Sequence, residues 1–489
     1  MKNHTLLFPG FHLPTLRRTP RSERQNRIEK LAEIKRKSLS QLGDLLGKFI
    51  LSKPLEQEDS GVNSRRRIYS KENTFWSFFS QILDADGGCR EVVRKIQAFA
   101  AMKSHTLPSS STAAYCQARQ KLMESDLDQI LVGTSTHLQP KGDEHLFFGR
   151  RVVVVDGTGL SMPDTNENQK LWPQQSHQKV GCGFPQAALC ACFCLHTGGL
   201  LSYELGNKKS HELPMLRKQW STFNEGDIFL GDKGFCSYFD VSKFKDRGVD
   251  SVITLARRIP VVETEAIKIL GENDLLIHWK KPKRNKRSSY TQQDLDNLPE
   301  ELLLRQIKVS VSEPGYRVNT FYIVTTLLDA NKYPASDIAE LYFKRWDVEL
   351  YFRDIKTTMG MDILRCKTPS MVRKEIAMHL IVYNCIRCLI MEAATKHNTD
   401  IKRMSFKGSL QALRQWEPNI NNAKNSRDEV LRLMDILYEI ISKTLIPDRP
   451  GRSEPRAVQR RPKPFQLMTA PRHEMKESKH RGKVYAKAT

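Results

Sequence analysis

Four residues suited to phosphate chemistry stand at fixed intervals late in the chain: Tyr342, Arg345, Glu349 and Lys356. At about 100° per residue, a helix would place all four within roughly 60° of one another around its axis. An acid between two cations is most often a solvated ion-pair face. If this helix is buried, however, its ions need partners or a metal.

Apolar neighbours predict that the helix carrying these residues is largely buried. They are Leu341, Phe343, Trp346, Leu350 and Phe352. Pro334 ends the preceding segment, and Asp337 with Glu340 three residues later has the form of a capping box. The sequence therefore predicts a continuous helix that begins near Asp337 and presents a single polar stripe.

Two aspartates upstream each follow a short apolar run. Asp156 follows the four valines at 152–155, and Asp232 follows the run 227–231. Such runs are typical of strands covered on both faces, so each predicts a carboxylate at the carboxyl end of a strand. A lone Asp in this position is more often a turn former. Because acids are predicted at two strand ends and also on a helix, a shared site is favoured over separate turn-forming roles.

These residues resemble those of the DDE transposases of bacterial insertion sequences, in the group with the Tyr-Arg-Glu-Lys signature (insertion-sequence family four). Every spacing of that signature is met, by Tyr342, Arg345, Glu349 and Lys356. Asp156 in Asp-Gly-Thr resembles the first catalytic Asp of the family. Asp232 in Asp-Lys-Gly-Phe resembles the second, with Lys233 where the family more often has Arg. The resemblance is clear over 148–356 and extends loosely back to about Arg65.

Three carboxylates brought together would raise one another's pKa, so the arrangement predicts a divalent cation that neutralises them. Carboxylate oxygens suit Mg²⁺, with Mn²⁺ as a substitute. Two such ions about 3.5 to 4 Å apart can activate an attacking hydroxyl and stabilise the leaving oxygen in phosphodiester displacement. On this hypothesis Asp156 bridges both ions, while Asp232 and Glu349 each hold mainly one.

The charge of the chain agrees with a polyanionic partner. There are 78 Lys and Arg against 55 Asp and Glu, for a formal net charge of +23. An anionic membrane surface or an acidic protein would attract the same charge. The resemblance implies double-stranded DNA, as transposon terminal inverted repeats and target DNA. It also implies contacts with the phosphate near the scissile bond for Tyr342, Arg345 and Lys356.

Three basic clusters could follow a phosphate backbone, although a solvated or disordered segment is an equal alternative for each. The clusters are Arg17, Arg18, Arg21, Arg24 and Arg27; Lys280, Lys281, Lys283, Arg284, Lys286 and Arg287; and Arg456, Arg460, Arg461 and Lys463. Two tryptophans beside cations, Trp279 and Trp346, are candidates for stacking on an unpaired base. The alternatives are a half-buried strand position for Trp279 and core packing for Trp346.

The order of the predicted elements favours an α/β protein. Three strands, a helix, a strand, a helix and a strand form the order of a ribonuclease H-like domain, which the resemblance also implies. We expect a mostly helical N-terminal DNA-binding domain at 1–140 and a catalytic core at 145–256 and 316–400. We also expect an inserted β subdomain at 257–315, a helical C-terminal region at 401–450 and a basic, disordered tail at 451–489.

Ten cysteines and the absence of an apolar leader favour the bacterial cytoplasm. Cys190, Cys192 and Cys194 alternate along one apolar run near Cys182 and His196. Buried free thiols are favoured there over a metal site. No membrane span is expected, since the most apolar window, 184–201, is interrupted by polar residues.

The predicted function is therefore a cut-and-paste DDE transposase, which hydrolyses one strand at each transposon end and acts as a dimer on DNA ends. The resemblance implies that the freed 3′-hydroxyl then forms a hairpin, which is reopened before strand transfer. Two alternatives stay open. One is a metal-dependent nuclease of the same fold that does not join DNA, and the other is a catalytically silent DNA-binding derivative.

Overall fold

The computed structural model describes residues 46–56, 68–84, 87–102, 107–140, 146–176, 178–207, 211–256, 260–283, 290–310, 320–422, 426–447, 471, 474, 479–480 and 483–484. Several predicted DNA contacts lie outside these residues. They are the N-terminal arginine cluster, Arg284, Lys286, Arg287 and the C-terminal cluster at 456–463.

Helices and strands follow one another in this order in the described part of the chain. The N-terminal helices are α1 (Lys71–Leu83), α2 (Cys89–Met102), α3 (Ala113–Lys121) and α4 (Glu124–Thr136). The next elements are β1 (Val152–Ser161), α5 (Asn166–Leu171), β2 (Gln186–Cys194), β3 (Leu200–Asn207), α6 (Glu212–Arg217), β4 (Ile228–Gly231), α7 (Tyr238–Asp246) and β5 (Asp250–Thr254).

The second half begins with strands and ends with helices. Its strands and one short helix are β6 (Lys268–Gly271), β7 (Asp274–Lys280), α8 (Gln292–Asp296), β8 (Glu301–Ser310) and β9 (Thr320–Thr325). The elements that follow are α9 (Ala335–Lys344), α10 (Asp347–Arg353), α11 (Pro369–His397), α12 (Phe406–Asn422), α13 (Arg427–Lys443), β10 (Lys479–His480) and β11 (Lys483–Val484).

Strands β1 to β9 form one sheet in the order β3-β2-β1-β4-β5-β9-β8-β7-β6. Strand β1 is antiparallel to β2 and parallel to β4, and β4 is parallel to β5. From β5 onward every pairing is antiparallel. The mixed α/β class predicted from the sequence is confirmed. The β-rich stretch at 257–315 supplies β6, β7 and β8, which continue this sheet through β9.

The central strands bury residues on both faces because successive side chains of a strand point to opposite sides. Val152 and Val154 belong to one core, together with residues of α10 and α11 such as Val348. Val153 belongs to a second core, with residues of α6 and α7 such as Phe244. The sheet therefore lies between two helical layers. The helices that carry the signature and the helices α6 and α7 approach it from opposite faces.

The alternating cysteines of β2 are buried core residues. Cys190, Cys192 and Cys194 all pack in the core on the α6 and α7 side, and each is a free thiol. The preference for buried thiols over a metal centre agrees with this packing.

Helix α11 is long and apolar enough to cross a membrane by length and composition. However, 89% of its most apolar stretch is buried inside the protein. It packs against α4, α13 and α1, which is typical of the central helix of a globular core. The sequence predicts a core helix here only from the helical spacing of Cys385 and Cys388, and the most apolar window expected from it is 184–201 instead.

The helix predicted through the signature residues is interrupted in its hydrogen bonding, although Arg345 and Trp346 keep right-handed helical backbone angles. Helix α9 ends at Lys344, and α10 begins only at Asp347. A π-helical turn then covers Asp354–Thr358. Because a π-helical turn changes the rotation per residue, the positions within it do not follow the phase of α9. The predicted capping box is wrong. The helix begins at Ala335 after Pro334, so Asp337 lies inside the first turn.

The predicted burial of the signature helix is correct for only part of its apolar residues. Leu341 and Phe352 are buried, whereas Phe343, Trp346 and Leu350 are exposed. Trp346 is 63% exposed, so core packing does not account for it.

A buried ion pair joins the strand extension to the signature helices. Arg305 of β8 is fully buried and donates to both carboxylate oxygens of Asp274 on β7, at 2.8 and 2.5 Å. Its remaining nitrogen donates to the carbonyl of Tyr333, at 2.6 Å. Tyr333 precedes α9, so this arginine fixes the start of the signature helix against β7 and β8.

Candidate active site

The two predicted aspartates lie level with each other at the end of the pairing between β1 and β4. Val154 pairs with Leu230 in the parallel register, which is the last β1 to β4 pair. Asp156 lies two residues beyond Val154, and Asp232 lies two residues beyond Leu230. Extended backbone alternates its side chains, so both acids are directed to the face that carries α9, α10 and α11.

Strand β1 does not end at Asp156, as the sequence predicted. It continues to Ser161 because β2 still pairs with it there. Only the pairing with β4 stops, and the sheet therefore opens between β1 and β4 beside Asp156. We call this opening the β1/β4 gap, the space beyond Val154 on β1 and Leu230 on β4.

One oxygen of each aspartate is held by a nearby glycine. Asp156 Oδ1 accepts a hydrogen bond from the backbone N–H of Gly157 at 2.7 Å. Asp232 Oδ1 accepts one from the N–H of Gly234, also at 2.7 Å. Both carboxylates are therefore oriented by the backbone that follows them.

The third acid, Glu349, acts electrostatically on Asp156, as Asp232 does. Burial is the main cause that raises the pKa of Asp156 to about 6, and the charges of Glu349 and Asp232 raise it further. The Gly157 N–H and the Arg345 guanidinium act in the opposite direction. Glu349 itself is exposed on α10, so the prediction of a buried acidic stripe is wrong.

Two other signature side chains, those of Lys356 and Tyr342, contact residues of β1 and β5. Lys356 Nζ donates to Thr158 Oγ1 on β1 at 2.9 Å. The hydroxyls of Tyr342 and Thr254, the last residue of β5, are 3.0 Å apart. The signature residues therefore gather at one edge of the sheet even though the helix is interrupted.

Arg345 supplies positive charge beside the first aspartate. Its Nη1 lies 3.9 Å from Asp156 Oδ2, and its side chain is only 13% exposed. Its Nε is buried and has no hydrogen-bond partner among the described residues. A guanidinium beside the carboxylate is suited to an incoming anion.

The donor set fits a divalent cation by its chemistry, since Asp156, Asp232 and Glu349 all offer hard carboxylate oxygens. Within the described ranges, no three acidic, His or Cys side chains are arranged to hold an ion as they stand. The Arg345 guanidinium lies 3.9 Å from Asp156 in this arrangement. The three acids are thus electrostatic neighbours rather than a closed coordination shell.

The other predicted DNA contacts differ in accessibility. Trp279 is half-buried on β7, with its ring 5.4 Å from that of Tyr238, so its strand alternative describes its packing. Lys281 is occupied by Glu300 at 2.6 Å and by the Leu298 carbonyl at 3.0 Å. Lys280 and Lys283 are exposed, as is Trp346, whose ring lies 5.5 Å from the Arg345 guanidinium carbon.

The sequence analysis missed one acid at this edge of the sheet, Glu212. It is the first residue of α6, and its carboxylate lies against Gly157 and near Gly234. No spacing ties it to Asp156 or Asp232 in the sequence. The only local signal is an acid at the start of the helix that follows the third strand.

Comparisons with known proteins identify this arrangement. Residues 147–385 match the family model described as "Transposase DDE domain", so the protein is an enzyme of the DDE class that acts on DNA. The chain is 24% identical over 442 residues to the transposase InsG for insertion sequence element IS4 of Escherichia coli (strain K12). That alignment covers 89% of this chain and 95% of the relative.

The family match and the similarity to the IS4 transposase confirm the prediction of a DDE transposase that follows from the Tyr-Arg-Glu-Lys signature. A solved structure, the cryo-EM structure of a piggyBac transposase synaptic complex with hairpin DNA, is similar with a TM-score of 0.41. Its sequence identity is 12%, and the match covers 84% of each chain.

Proposed function

We propose that this transposase cuts DNA at the ends of its element and joins the freed 3′ ends to target DNA, at a metal site formed by Asp156, Asp232 and Glu349. The observation that carries the proposal is the level register of the two aspartates at the β1/β4 gap, next to the helix with Glu349. The similarity to the transposase InsG supports the same function.

The proposal includes a ribonuclease H-like catalytic core. Its support is the strand order β3-β2-β1-β4-β5, with the first three strands antiparallel and β4 and β5 parallel to β1. A further support is the placement of acids at the ends of β1 and β4 and on a later helix. The domain boundaries given above stay predictions.

We assign Mg²⁺ to the site, with Mn²⁺ as a substitute and two ions in total. When bound, such ions activate the attacking hydroxyl and stabilise the leaving oxygen of a phosphodiester. Asp156 would face both ions, and Asp232 and Glu349 would each hold one. The raised pKa of Asp156 supports this assignment, because negative charge at that carboxylate is poorly compensated without a cation.

The remaining signature residues would position the substrate. Arg345 lies 3.9 Å from Asp156, and Lys356 is bonded to Thr158, two residues from Asp156, so both cations lie where a scissile phosphate would enter. Tyr342 would add a hydroxyl on the β5 side. Their role is to hold and orient the phosphate next to the carboxylates, which lowers the entropic part of the reaction barrier.

The proposal extends to the reaction route and its setting. Exposed Trp346 is available to stack on a base that leaves the duplex, which a hairpin intermediate at the transposon end would require. Trp279 would have to rotate out of its contact with Tyr238 to do the same. We place the reaction on two paired DNA ends held by a dimer, in the bacterial cytoplasm.

A cleavage and joining assay tests the proposal. Labelled DNA that carries the inverted repeats flanking the coding region is incubated with the protein and Mg²⁺. Cleavage is expected with the wild type and is expected to be lost with EDTA and with Asp156→Ala, Asp232→Ala or Glu349→Ala. Asp296→Ala, an exposed acid on α8, is the control and should cleave normally. Normal cleavage by Asp156→Ala would reject the assignment.

The joining step separates the alternatives. Pre-cleaved ends with a free 3′-hydroxyl are mixed with plasmid target, and joined products are detected by size and sequence. Joined products exclude a nuclease that only cuts. Metal-dependent cleavage without joined products would instead identify such a nuclease, and neither activity on correct ends would favour a silent DNA-binding derivative.

A further inference from the structure

We propose that Glu212 is a fourth carboxylate of the same centre and supplies an oxygen to a cation held by Asp156 and Asp232. This inference rests on the proposed metal site. Glu212 lies on α6, on the face of the sheet opposite to Glu349, and neither the signature nor the family match assigns it a role.

The first support is the close approach of Glu212 to Gly157. A methyl group built on Gly157 would overlap Glu212 Oε1, so the carboxylate keeps this position only because residue 157 is a glycine and would have to move aside for a larger residue. Gly157 directly follows Asp156 and donates the hydrogen bond that orients it. The same residue therefore positions one acid with its backbone and makes room for the other.

The second support is the loop after β4. A Cβ atom on Gly234 would lie 3.4 Å from Glu212 Oε2 and 2.9 Å from Asp232 Oδ1. The carboxylates of Glu212 and Asp232 are thus neighbours across one small residue. Gly234 also donates the hydrogen bond that holds Asp232.

The β1/β4 gap explains how acids from both faces of the sheet can meet. The side-chain position of Gly157 lies on the α6 side of β1, whereas the side chain of Asp156 lies on the α10 side. A closed sheet would separate the two faces. Because β4 stops pairing with β1 at Val154, a carboxylate from α6 can reach the open edge.

Electrostatics around β2 agree with this position. Cys190 pairs with Gly157 across the β1 and β2 strands. Burial raises the pKa of the Cys190 thiol, and the charges of Cys192, Glu212 and Asp156 raise it further. Glu212 and Asp156 therefore flank the same point of the sheet from its two sides.

Helix α6 holds Glu212 in place by packing and by an ion pair. Met215 and Leu216 are buried in the second core. Arg217, the last residue of the helix, donates to both oxygens of Asp240 on α7, at 2.8 and 2.7 Å. A Glu212→Gln substitution leaves these contacts of the helix intact.

Binding of Mn²⁺ alone to the full-length protein, measured by electron paramagnetic resonance, tests the inference without using activity. Glu212→Gln is expected to weaken Mn²⁺ binding roughly tenfold or more, in the range found when groups around a metal site are removed. Glu225→Gln is a matched control. Glu225 also lies over a glycine, Gly248, but at the other end of β4, and this variant should bind Mn²⁺ like the wild type.

A purely structural role for Glu212 predicts a different result. The melting temperature of Glu212→Gln would then fall while its Mn²⁺ affinity stays at the wild-type value, and this outcome overturns the inference. Asp156→Asn serves to separate the two proposals. If the wild type does not bind Mn²⁺, or if Asp156→Asn binds it as well as the wild type does, the metal site itself is refuted. The inference is then refuted with it.

A double-mutant cycle adds a second measurement. Gly157→Ala displaces the Glu212 carboxylate and should weaken Mn²⁺ binding, whereas Gly157→Ala in a Glu212→Ala background should have little further effect. Residues that act through one contact give such non-additive changes. Independent, multiplicative losses of affinity would mean that Gly157 does not act through Glu212, and would count against the inference.

Discussion

Replacement of Asp156 by Asn is expected to make the metal-free protein more stable at neutral pH, although it removes the central acid of the site. The Asp156 side chain is only 15% exposed, and burial raises its pKa from 3.8 to about 6. Asn keeps the shape, and its oxygen can still accept the hydrogen bond from Gly157 N–H. The substitution therefore removes a poorly solvated charge with little other change.

The size and sign of the effect follow from proton linkage. Each pKa unit corresponds to about 1.4 kcal/mol, so a shift of about two units destabilises the charged folded state by about 3 kcal/mol. Because the folded pKa is raised, the folded state binds more protons than the unfolded chain between pH 3.8 and about 6. The wild type therefore loses this stability as pH rises through that window. The Asn variant does not.

Urea denaturation in EDTA at pH 5 and pH 7.5 measures the difference. The gain from Asp156→Asn should be about 3 kcal/mol at pH 7.5 and about half of that at pH 5. Asp296→Asn, an exposed position, is the control and should show little change at either pH. Added Mn²⁺ should stabilise the wild type but not Asp156→Asn, since ligand binding stabilises only the state that binds it. An Asn variant no more stable than wild type at pH 7.5 would refute the reasoning.

Two further outcomes are expected from other parts of the structure. Asp274→Ala leaves the buried Arg305 without its carboxylate and should reduce the free energy of unfolding by about 3 to 5 kcal/mol, whereas Asp246→Ala, on an exposed pair, should cost less than about 1 kcal/mol by the same urea titration. Lys356→Ala should weaken binding of end DNA and reduce the slope of log binding constant against log salt concentration by about one. The control is Lys344→Ala on the outer side of α9, where Lys344 is paired with Glu340, and it should change neither quantity. Equal effects of the two substitutions in either pair would contradict the structural assignment.

The strands that carry the aspartates could be predicted because their sequences leave little choice. In a strand of four valines the side chains alternate between the two faces, so all four are shielded from water only if both faces are buried. The valines of β1 indeed pack in both cores. The run before Asp232 behaves in the same way in β4. Such short apolar runs fix the identity of the element and the location of its acid to within a few residues.

The geometry between elements could not be predicted in the same way. The hydrophobic pattern around Glu349 fits a continuous helix, and nothing in it marks the interruption after Lys344 or the π-helical turn near Lys356. The end of the β1 to β4 pairing depends on contacts between strands more than 70 residues apart. Glu212 was missed for the same reason, since only the folded sheet brings it to Gly157.

The β1/β4 gap links the fold to the chemistry. While two parallel strands pair, their side chains are divided between two separate cores, and acids from opposite faces cannot approach one another. Where the pairing stops, Asp156, Asp232 and Glu212 can lie around one opening, with Glu349 above it. Arg345 places a positive charge beside Asp156. A bound metal would take over that role, and the guanidinium would then be available to the phosphate of the DNA.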